Sequence, residues 1–428
     1  MKIENQKCII FGTYFSGKNV EIVNQIKEHG KIIKFELPMT FILNSHNLFN
    51  YLAAQNLCNQ SEQTLSKVEP VAAKNFNLLV TFPDNRKLLV KQERHNHEGK
   101  SAGEFLDEWR IQEFIKEFAQ MHHLRPFLPE VMHFDRENSI IVFNYLDDYQ
   151  DLMDFYTKDK SYPLQIAAAI GTLVGTIHRD TFKRQDYQDF FSENLDNSRT
   201  DQVSNFVRDL ERISPEIFGV VPADGLKFFA LYQRYDSLSQ AIANLANAVI
   251  PSCLTHNDLK LNNILVHKDW QQTPQSIIRL IDWERSAWGD PAFDLGTIVS
   301  SYLQIWLGSL VVSRSLTIEE SLGLTMTPLQ KIQPAIATLT QAYFQQFSEV
   351  LEHRPDFLQR VVQFTGFALI QRIQAMIQYQ KSFSNGGIAM LQVAKTLLCR
   401  PEQSMPTIFG NAAASLTQKN AMKNAIAA

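Results

Sequence analysis

The hydrophobic pattern of this 428-residue chain changes near residue 146, and the change limits the folds that the sequence can adopt. Between Val68 and Tyr145, short apolar runs alternate with turn-forming residues, which is typical of β-strands. One segment within that region, 103–120, has apolar residues at helical spacing instead. After Asp147 the chain is mostly amphipathic and helical. Strand character returns only at 253–255, 264–267 and 277–281. The pattern predicts an α+β fold with a β-rich lobe followed by a mostly helical lobe.

The predicted elements divide the chain into four parts. Residues 1–38 contain one small βα unit, with its helix over 20–29, and we interpret them as an appendage, with Met39 as a second candidate start. Residues 39–146 form the β-rich lobe with a leading helix, and residues 147–405 form the helical lobe. We interpret 183–199 as an exposed loop and 406–428 as a loosely held polar tail.

The composition excludes several classes of protein. There are 41 Lys+Arg against 45 Asp+Glu, a net charge of −4, so a broad basic surface for nucleic acid or for an anionic membrane is not expected. The four cysteines lie far apart, which favours a reducing compartment over a disulfide framework. No apolar run approaches the length that a bilayer requires. We therefore expect a soluble cytoplasmic protein with neither nucleic acid nor membrane as its partner.

The strongest functional signal is the segment His256-Asn257-Asp258-Leu259-Lys260-Leu261-Asn262-Asn263, which is followed by an apolar strand. The Asp258 carboxylate can orient a hydroxyl nucleophile and accept its proton. The Asn263 side chain offers a neutral oxygen to a hard cation, for which Mg²⁺ is the usual choice. The residues between them hold the two side chains at a set separation, and His256 is expected to brace this loop.

A second carboxylate follows at a spacing that complements the first motif. Asp282 comes directly after an apolar strand, 277–281, and lies 19 residues after Asn263. The intervening segment has the pattern of a β-hairpin, and a hairpin brings its two ends together. The spacing therefore predicts that Asn263 and Asp282 share one metal ion.

A third motif, Gly289-Asp290-Pro291-Ala292-Phe293-Asp294, begins an apolar helix. Asp294 can act as a cap or near-cap of that helix. Its carboxylate can alternatively accept backbone N–H groups of the 256–263 loop, and we favour this second interpretation. Both roles are structural.

Together these three motifs resemble the aminoglycoside phosphotransferase and choline kinase superfamily over about residues 68–400. The resemblance implies a bilobal protein-kinase-like fold with ATP bound between the lobes and Mg²⁺ as cofactor. It also implies that Asp258 is the catalytic base and that Asn263 and Asp282 are metal ligands.

The same resemblance implies a lysine on a strand of the first lobe and a glutamate on the helix that crosses it. Lys91 ends the apolar run 88–90, from where it can reach the α- and β-phosphates. Glu108 shares an apolar stripe with Ile111 and Ile115, where a carboxylate is costly unless it is paired. We therefore expect Glu108 to pair with Lys91, and Glu104, one turn earlier, is the second choice.

The nucleotide-binding loop departs from the protein-kinase pattern, because residues 70–77 contain no glycine. At the predicted hinge, the backbone of Asn144, Tyr145 and Leu146 is expected to hold adenine. A near match to a phosphate-binding loop, Gly12 to Asn19, lies in the appendage, but Asn19 replaces the expected hydroxyl residue. We interpret that segment as a tight βα turn.

The phosphoryl acceptor stays open on the sequence alone. A small amino-alcohol, a sugar, an aminoglycoside-like molecule and a Ser/Thr peptide are all compatible with the motifs. Lys260 follows Asp258 by two residues, as in Ser/Thr protein kinases, and peptide-modifying kinases of lanthipeptide biosynthesis resemble this group. A pseudokinase that binds nucleotide without turnover is the alternative from another class.

Overall fold

The computed structural model describes residues 27–28, 31–32, 41–95, 101–192, 222–273, 277–313 and 315–416. They divide into two compact units. The first comprises Met1–Leu106 and Val131–Tyr145, and the second Asp107–Glu130 and Leu146–Ala428. Among the described helices, none is both long enough and apolar enough to cross a bilayer.

The first unit is built on an antiparallel sheet. Its elements are β1 (Lys27–Glu28), β2 (Lys31–Ile32), α1 (Leu48–Ala54), β3 (Lys67–Val71), β4 (Phe76–Thr81), β5 (Lys87–Gln92), β6 (Val131–Asp135) and β7 (Ile140–Asn144). Strands β3 to β7 form one five-stranded sheet in the order β3-β4-β5-β7-β6, and every neighbouring pair is antiparallel. The strands predicted over 68–92 and 131–145 are therefore present.

The two faces of this sheet carry different apolar clusters, as the two-residue period of a strand requires. On one face, Val80, Val90 and Val142 pack with Leu48 and Leu52 of α1. On the other face, residues of β5 and β7 pack with Phe105, which lies on helix α2 (Glu104–Glu117). The leading helix predicted before the sheet is thus α1, and it covers one side of the core.

The second unit is mostly helical. It contains β8 (Tyr149–Asp151), α3 (Leu152–Asp159), α4 (Leu164–Thr181), α5 (Gln185–Ser192), α6 (Ala223–Gln233), α7 (Asp236–Asn247), β9 (Cys253–Thr255), β10 (Ile264–His267), β11 (Ile278–Leu280), β12 (Ala287–Gly289), α8 (Pro291–Gly308), α9 (Ile318–Gly323), α10 (Leu329–Gln346), α11 (Val350–His353), α12 (Phe357–Gln380), α13 (Asn385–Cys399) and α14 (Pro401–Phe409). The α+β class predicted from the pattern is confirmed.

Glycines allow the long helices of this unit to pack closely. A Cβ built on Gly171 of α4 would lie 2.1 Å from the carbonyl oxygen of Leu339 on α10, and one on Gly175 would lie 2.9 Å from the carbonyl oxygen of Tyr343. The two glycines are four residues apart and so lie on one face of α4. Helices α4 and α10 therefore contact each other at backbone distance along this face.

Three expectations are wrong or only partly right. The segment 183–199 is not simply an exposed loop, because α5 lies within it and buries Tyr187 and Phe191 against Phe114. The polar tail begins later than expected, since α14 and the residues up to 416 bury side chains such as Phe409 and Leu416.

The helix predicted over 20–29 is wrong near its end, because residues 27–28 form strand β1. Most of 1–38, including the near phosphate loop at 12–19, lies outside the described residues.

Candidate active site

The 256–263 segment lies between β9 and β10, and β10 pairs antiparallel with β11. The register opposes Ile264 to Leu280, so the ends of the two strands come together at the loop. The backbone N–H of Ile281 donates to the carbonyl oxygen of Asn263 at 3.0 Å. The predicted hairpin is confirmed, and Asp282 follows Ile281 directly in the chain.

Asp258 is held by two side chains of its own loop. The ammonium of Lys260 lies 2.8 Å from Asp258 Oδ2, and the Asn263 amide donates to the same oxygen at 3.1 Å and to the Asp258 backbone carbonyl at 2.8 Å. The Asp258 side chain is still 20% exposed, whereas Asn263 as a residue is only 3% exposed. The carboxylate is thus oriented by the loop and remains accessible to a ligand.

His256 braces the loop in the way that its position suggested. Its Nε2 lies 2.9 Å from the Ile281 carbonyl oxygen, and its Nδ1 accepts from the Asp258 backbone N–H at 3.4 Å. A carbonyl oxygen can only accept, so the ring proton lies on Nε2. The ring packs on Trp283, which is buried and donates its own N–H to Leu280. His256 therefore links the Asp258 turn to the end of β11.

Asp294 is buried beneath the same loop. Its Oδ2 accepts the backbone N–H of His256 at 2.7 Å, and its Oδ1 accepts that of Asn257 at 2.8 Å. These are the bonds that the favoured interpretation of Asp294 expected. The N-cap of α8 is instead Asp290, whose carboxylate accepts from Ala292 at 3.0 Å. Two aspartates four residues apart thus have separate tasks, one at the helix and one at the loop.

Residues far away in the sequence support both aspartates. Arg354 forms a buried ion pair with Asp290 at 2.5 Å, and His178 Nε2 lies 3.3 Å from Asp294 Oδ2. Sequence reasoning missed Arg354. No local signal identifies Arg354, because its partner precedes it by 64 residues.

In the first unit, Lys91 lies on β5 opposite Asn77 and Ile141, with its ammonium 5.1 Å from the centre of the Phe143 ring. Glu104 forms an ion pair with Lys74 at 2.6 Å, which weakens the case for Glu104 as the partner of Lys91.

At the hinge segment that is expected to hold adenine, the N–H of Tyr145 donates to the carbonyl oxygen of Lys87 at 3.0 Å.

Glu108, in the second unit, is only 1% exposed, which agrees with its predicted place on the apolar stripe of α2. Its pairing with Lys91 stays a prediction, as does the binding of adenine at Asn144, Tyr145 and Leu146.

Sequence reasoning also missed Glu93 in the first unit. Its carboxylate is buried and accepts the backbone N–H groups of Gly103 at 2.8 Å and Phe105 at 2.5 Å. Glu93 thereby holds the first turn of α2, where unpaired N–H groups favour an acidic partner.

Comparison with known proteins assigns the class. Residues 74–317 match the phosphotransferase enzyme family, abbreviated APH. This match covers more than half of the chain and includes the loop, the hairpin and the first helix after it. The chain belongs to this family of phosphotransferase enzymes.

Individual relatives are distant. The chain is 24% identical to the 4-hydroxytryptamine kinase of Psilocybe cyanescens over 180 residues, which are 40% of this chain and 46% of that enzyme. An ethanolamine kinase of Plasmodium vivax has a similar fold, with a TM-score of 0.51, 14% identity and coverage of 82% of this chain and 86% of the other. The choline kinase of Streptococcus pneumoniae aligns with a TM-score of 0.43 and 16% identity, over 82% of this chain and 98% of the other.

Proposed function

We propose that this protein transfers the γ-phosphoryl group of ATP to a hydroxyl group of a small molecule. The observation that carries the proposal is the environment of Asp258, which is oriented by Lys260 and Asn263 and is still open to a ligand. Catalysis of phosphoryl transfer depends mainly on positioning and on stabilisation of charge. A rigidly held and accessible carboxylate suits the task of orienting the acceptor hydroxyl and taking its proton.

The residues at the end of the hairpin fit a hard cation. Asn263 donates through Nδ2 to Asp258, so its Oδ1 is the atom that a cation would take. Asp282 adds a carboxylate one residue beyond the Ile281–Asn263 hydrogen bond. Oxygen donors of these two kinds suit Mg²⁺, which would neutralise charge on the phosphates. His256 and Asp294 would act on the reaction only by holding the loop.

The nucleotide-binding residues are proposed from the sequence. Lys91 would contact the phosphates, Glu108 would orient Lys91, and the backbone of Asn144, Tyr145 and Leu146 would hold adenine. The position of Lys91 on β5 and the burial of Glu108 are compatible with these roles.

An amine that also bears a hydroxyl group, phenolic or aliphatic, is the first acceptor to test, because a relative matched by sequence is a 4-hydroxytryptamine kinase. A sugar and an aminoglycoside-like molecule belong to the same test. A second candidate, a Ser/Thr peptide, is favoured by one observation. Lys260 forms an ion pair with Asp258 at 2.8 Å, and this lysine is the residue that the chain shares with Ser/Thr protein kinases.

The test is a γ-phosphate transfer assay on a panel of amino-alcohols, hydroxytryptamines, sugars, aminoglycosides and Ser/Thr peptides, with Asp258→Asn beside the unaltered chain. We expect the variant to lose about 10²–10⁴-fold in kcat, the usual contribution of a positioned acid–base group. Its affinity for ATP should change by no more than a few-fold, because Asp258 is assigned to the acceptor. Asp269→Asn is the matched control, since Asp269 is exposed on the hairpin turn and undergoes the same change of charge.

Three outcomes distinguish the candidates. Turnover with one acceptor class and its loss in Asp258→Asn alone support the proposal and identify the substrate. Nucleotide binding without transfer to any acceptor favours the pseudokinase alternative. If Asp258→Asn keeps most of the kcat of the unaltered chain, the assignment of Asp258 is wrong.

A further inference from the structure

Helix α10 contributes a side chain to the support of the catalytic loop, although it lies beyond residue 317, where the family match ends. Gly171 and Gly175 bring α10 against α4 at backbone distance. His178 follows Gly175 by three residues and so lies on the same side of α4. The Tyr343 hydroxyl lies 2.9 Å from His178 Nδ1 as a result of this close packing.

A chain of hydrogen bonds continues from Tyr343 to the loop. The other ring nitrogen of His178, Nε2, lies 3.3 Å from Asp294 Oδ2. That carboxylate accepts the backbone N–H groups of His256 and Asn257, the two residues before Asp258. His178, Asp294 and Tyr343 are all buried, so these bonds do not compete with solvent.

The direction of each bond follows from the groups involved. Both oxygens of Asp294 accept backbone N–H groups, so Asp294 is also the acceptor in its bond with His178 and the shared proton lies on Nε2. Burial raises the pKa of Tyr343 well above its usual range, so the phenol keeps its proton at neutral pH and donates it to Nδ1. Tyr343 thereby selects the His178 tautomer that can donate to Asp294.

We propose that Tyr343 is a positioning residue for the reaction: it sets the tautomer of His178, which holds Asp294 in the orientation that keeps the His256–Asp258 turn in place. The inference rests on the proposed function for its effect on turnover. Its structural part, which concerns the proton on the His178 ring and the bonds of Asp294, is independent of that function.

The decisive comparison is Tyr343→Phe with Tyr302→Phe. Both tyrosines are fully buried, and each makes one hydroxyl hydrogen bond of 2.9 Å, with Tyr302 bonded to Tyr156. The two variants therefore remove the same group from equally buried sites, and only Tyr343 is connected to the loop through His178. We expect Tyr343→Phe to lower kcat roughly tenfold and to leave the KM for ATP within about twofold. Tyr302→Phe should leave both close to those of the unaltered chain.

Two measurements test the inference without relying on turnover. In the unaltered chain, ¹⁵N NMR of the His178 ring should show a proton on Nε2 and none on Nδ1, and a proton on Nδ1 would overturn the proposal. In Tyr343→Phe, the amides of His256 and Asn257 should exchange hydrogen faster than in Tyr302→Phe, and equal exchange in the two variants would also overturn it. If the unaltered chain phosphorylates no acceptor, the proposed function fails, whereas these two measurements still decide the role of Tyr343.

Discussion

Asp282 has a backbone φ of +60°, in the left-handed region, and Asn257 has a similar φ of 61°. Asp and Asn tolerate this conformation better than other non-glycine residues, because their short polar side chains can bond locally. An alanine at position 282 would thus add backbone strain to the loss of the carboxylate. Asp282→Asn keeps the conformation and removes only the charge, so it is the cleaner variant for testing a metal ligand.

At the residue scale, we expect Asp282→Asn to raise the Mg²⁺ concentration needed for half-maximal turnover by more than about tenfold, because even residues that only support metal ligands contribute 10–100-fold. Asn263→Ala should have a smaller effect, since it removes a neutral ligand. Asn262→Ala is the control, because Asn262 is exposed and its amide points to Asp151 at 3.2 Å. A Mg²⁺ titration of each variant provides the measurement. An unchanged metal dependence in both Asp282→Asn and Asn263→Ala would refute the shared metal site.

At the element scale, the packing of α4 on α10 depends on Gly171. In an exposed helix, Gly→Ala stabilises by about 1 kcal/mol through helix propensity. Here the new methyl group would meet a backbone oxygen at 2.1 Å, and neither helix backbone can move without separating the pair. We expect Gly171→Ala to lower the free energy of unfolding by about 1–3 kcal/mol, the usual cost of overpacking.

Gly308→Ala is the matched control for this prediction. Gly308 is the last residue of α8, and an added Cβ there meets no atom within 4 Å. Chemical denaturation of both variants should show destabilisation for Gly171→Ala alone. Equal stability of the two variants would mean that the close approach of α4 and α10 is not required for folding.

At the scale of the whole molecule, Phe41 and Leu43 join the start of the first unit to its five-stranded sheet, whereas the described strands β1 and β2 pair with each other. Gln92 on β5 accepts the backbone N–H of Leu43 at 2.8 Å and donates to the carbonyl oxygen of Phe41 at 2.8 Å. Leu43 is also part of the buried cluster that α1 forms with the sheet. We therefore expect a chain without residues 1–38 to keep its melting temperature and its turnover.

A chain without residues 1–47 should melt at a lower temperature, because the Gln92 side chain would lose its bonds to Phe41 and Leu43 and keep only that to Asn138, and the cluster would lose Leu43. Thermal denaturation of the two truncated chains makes the comparison. If the shorter deletion abolishes ATP binding, and Lys18→Ala in the full chain does the same, the near phosphate loop at 12–19 functions and our division of the chain is wrong.

Several elements and one side-chain role followed from local sequence, because their partners are near in the chain. The mostly helical pattern predicted after Asp147 is present in helices such as α12, and β10 and β11 pair as the predicted hairpin requires. The hydrogen bonds expected of Asp294 are present, since it lies within 38 residues of the loop and on the helix that follows the hairpin.

The loop predicted over 183–199 contains the helix α5, because the contacts that decide this element are not local in the sequence. Polar residues outnumber apolar ones over 183–199, and only packing on Phe114 shows that Tyr187 and Phe191 are its buried side. Local propensity is a weak guide when a few tertiary contacts decide the element.

The sequence by itself determined the class of fold, the position of the candidate loop at 256–263 and the hairpin that ends at Asp282, because periodicity and short-range spacing specify elements whose parts are neighbours. Only the tertiary structure decided which distant residues hold that loop and the start of helix α8. His178 precedes Asp294 by 116 residues, Tyr343 follows His178 by 165, and Arg354 follows Asp290 by 64. The His178–Tyr343 pair forms because glycines let α4 and α10 approach closely, and the other two pairs form because buried polar groups must find partners. Neither condition leaves a spacing that the sequence alone displays.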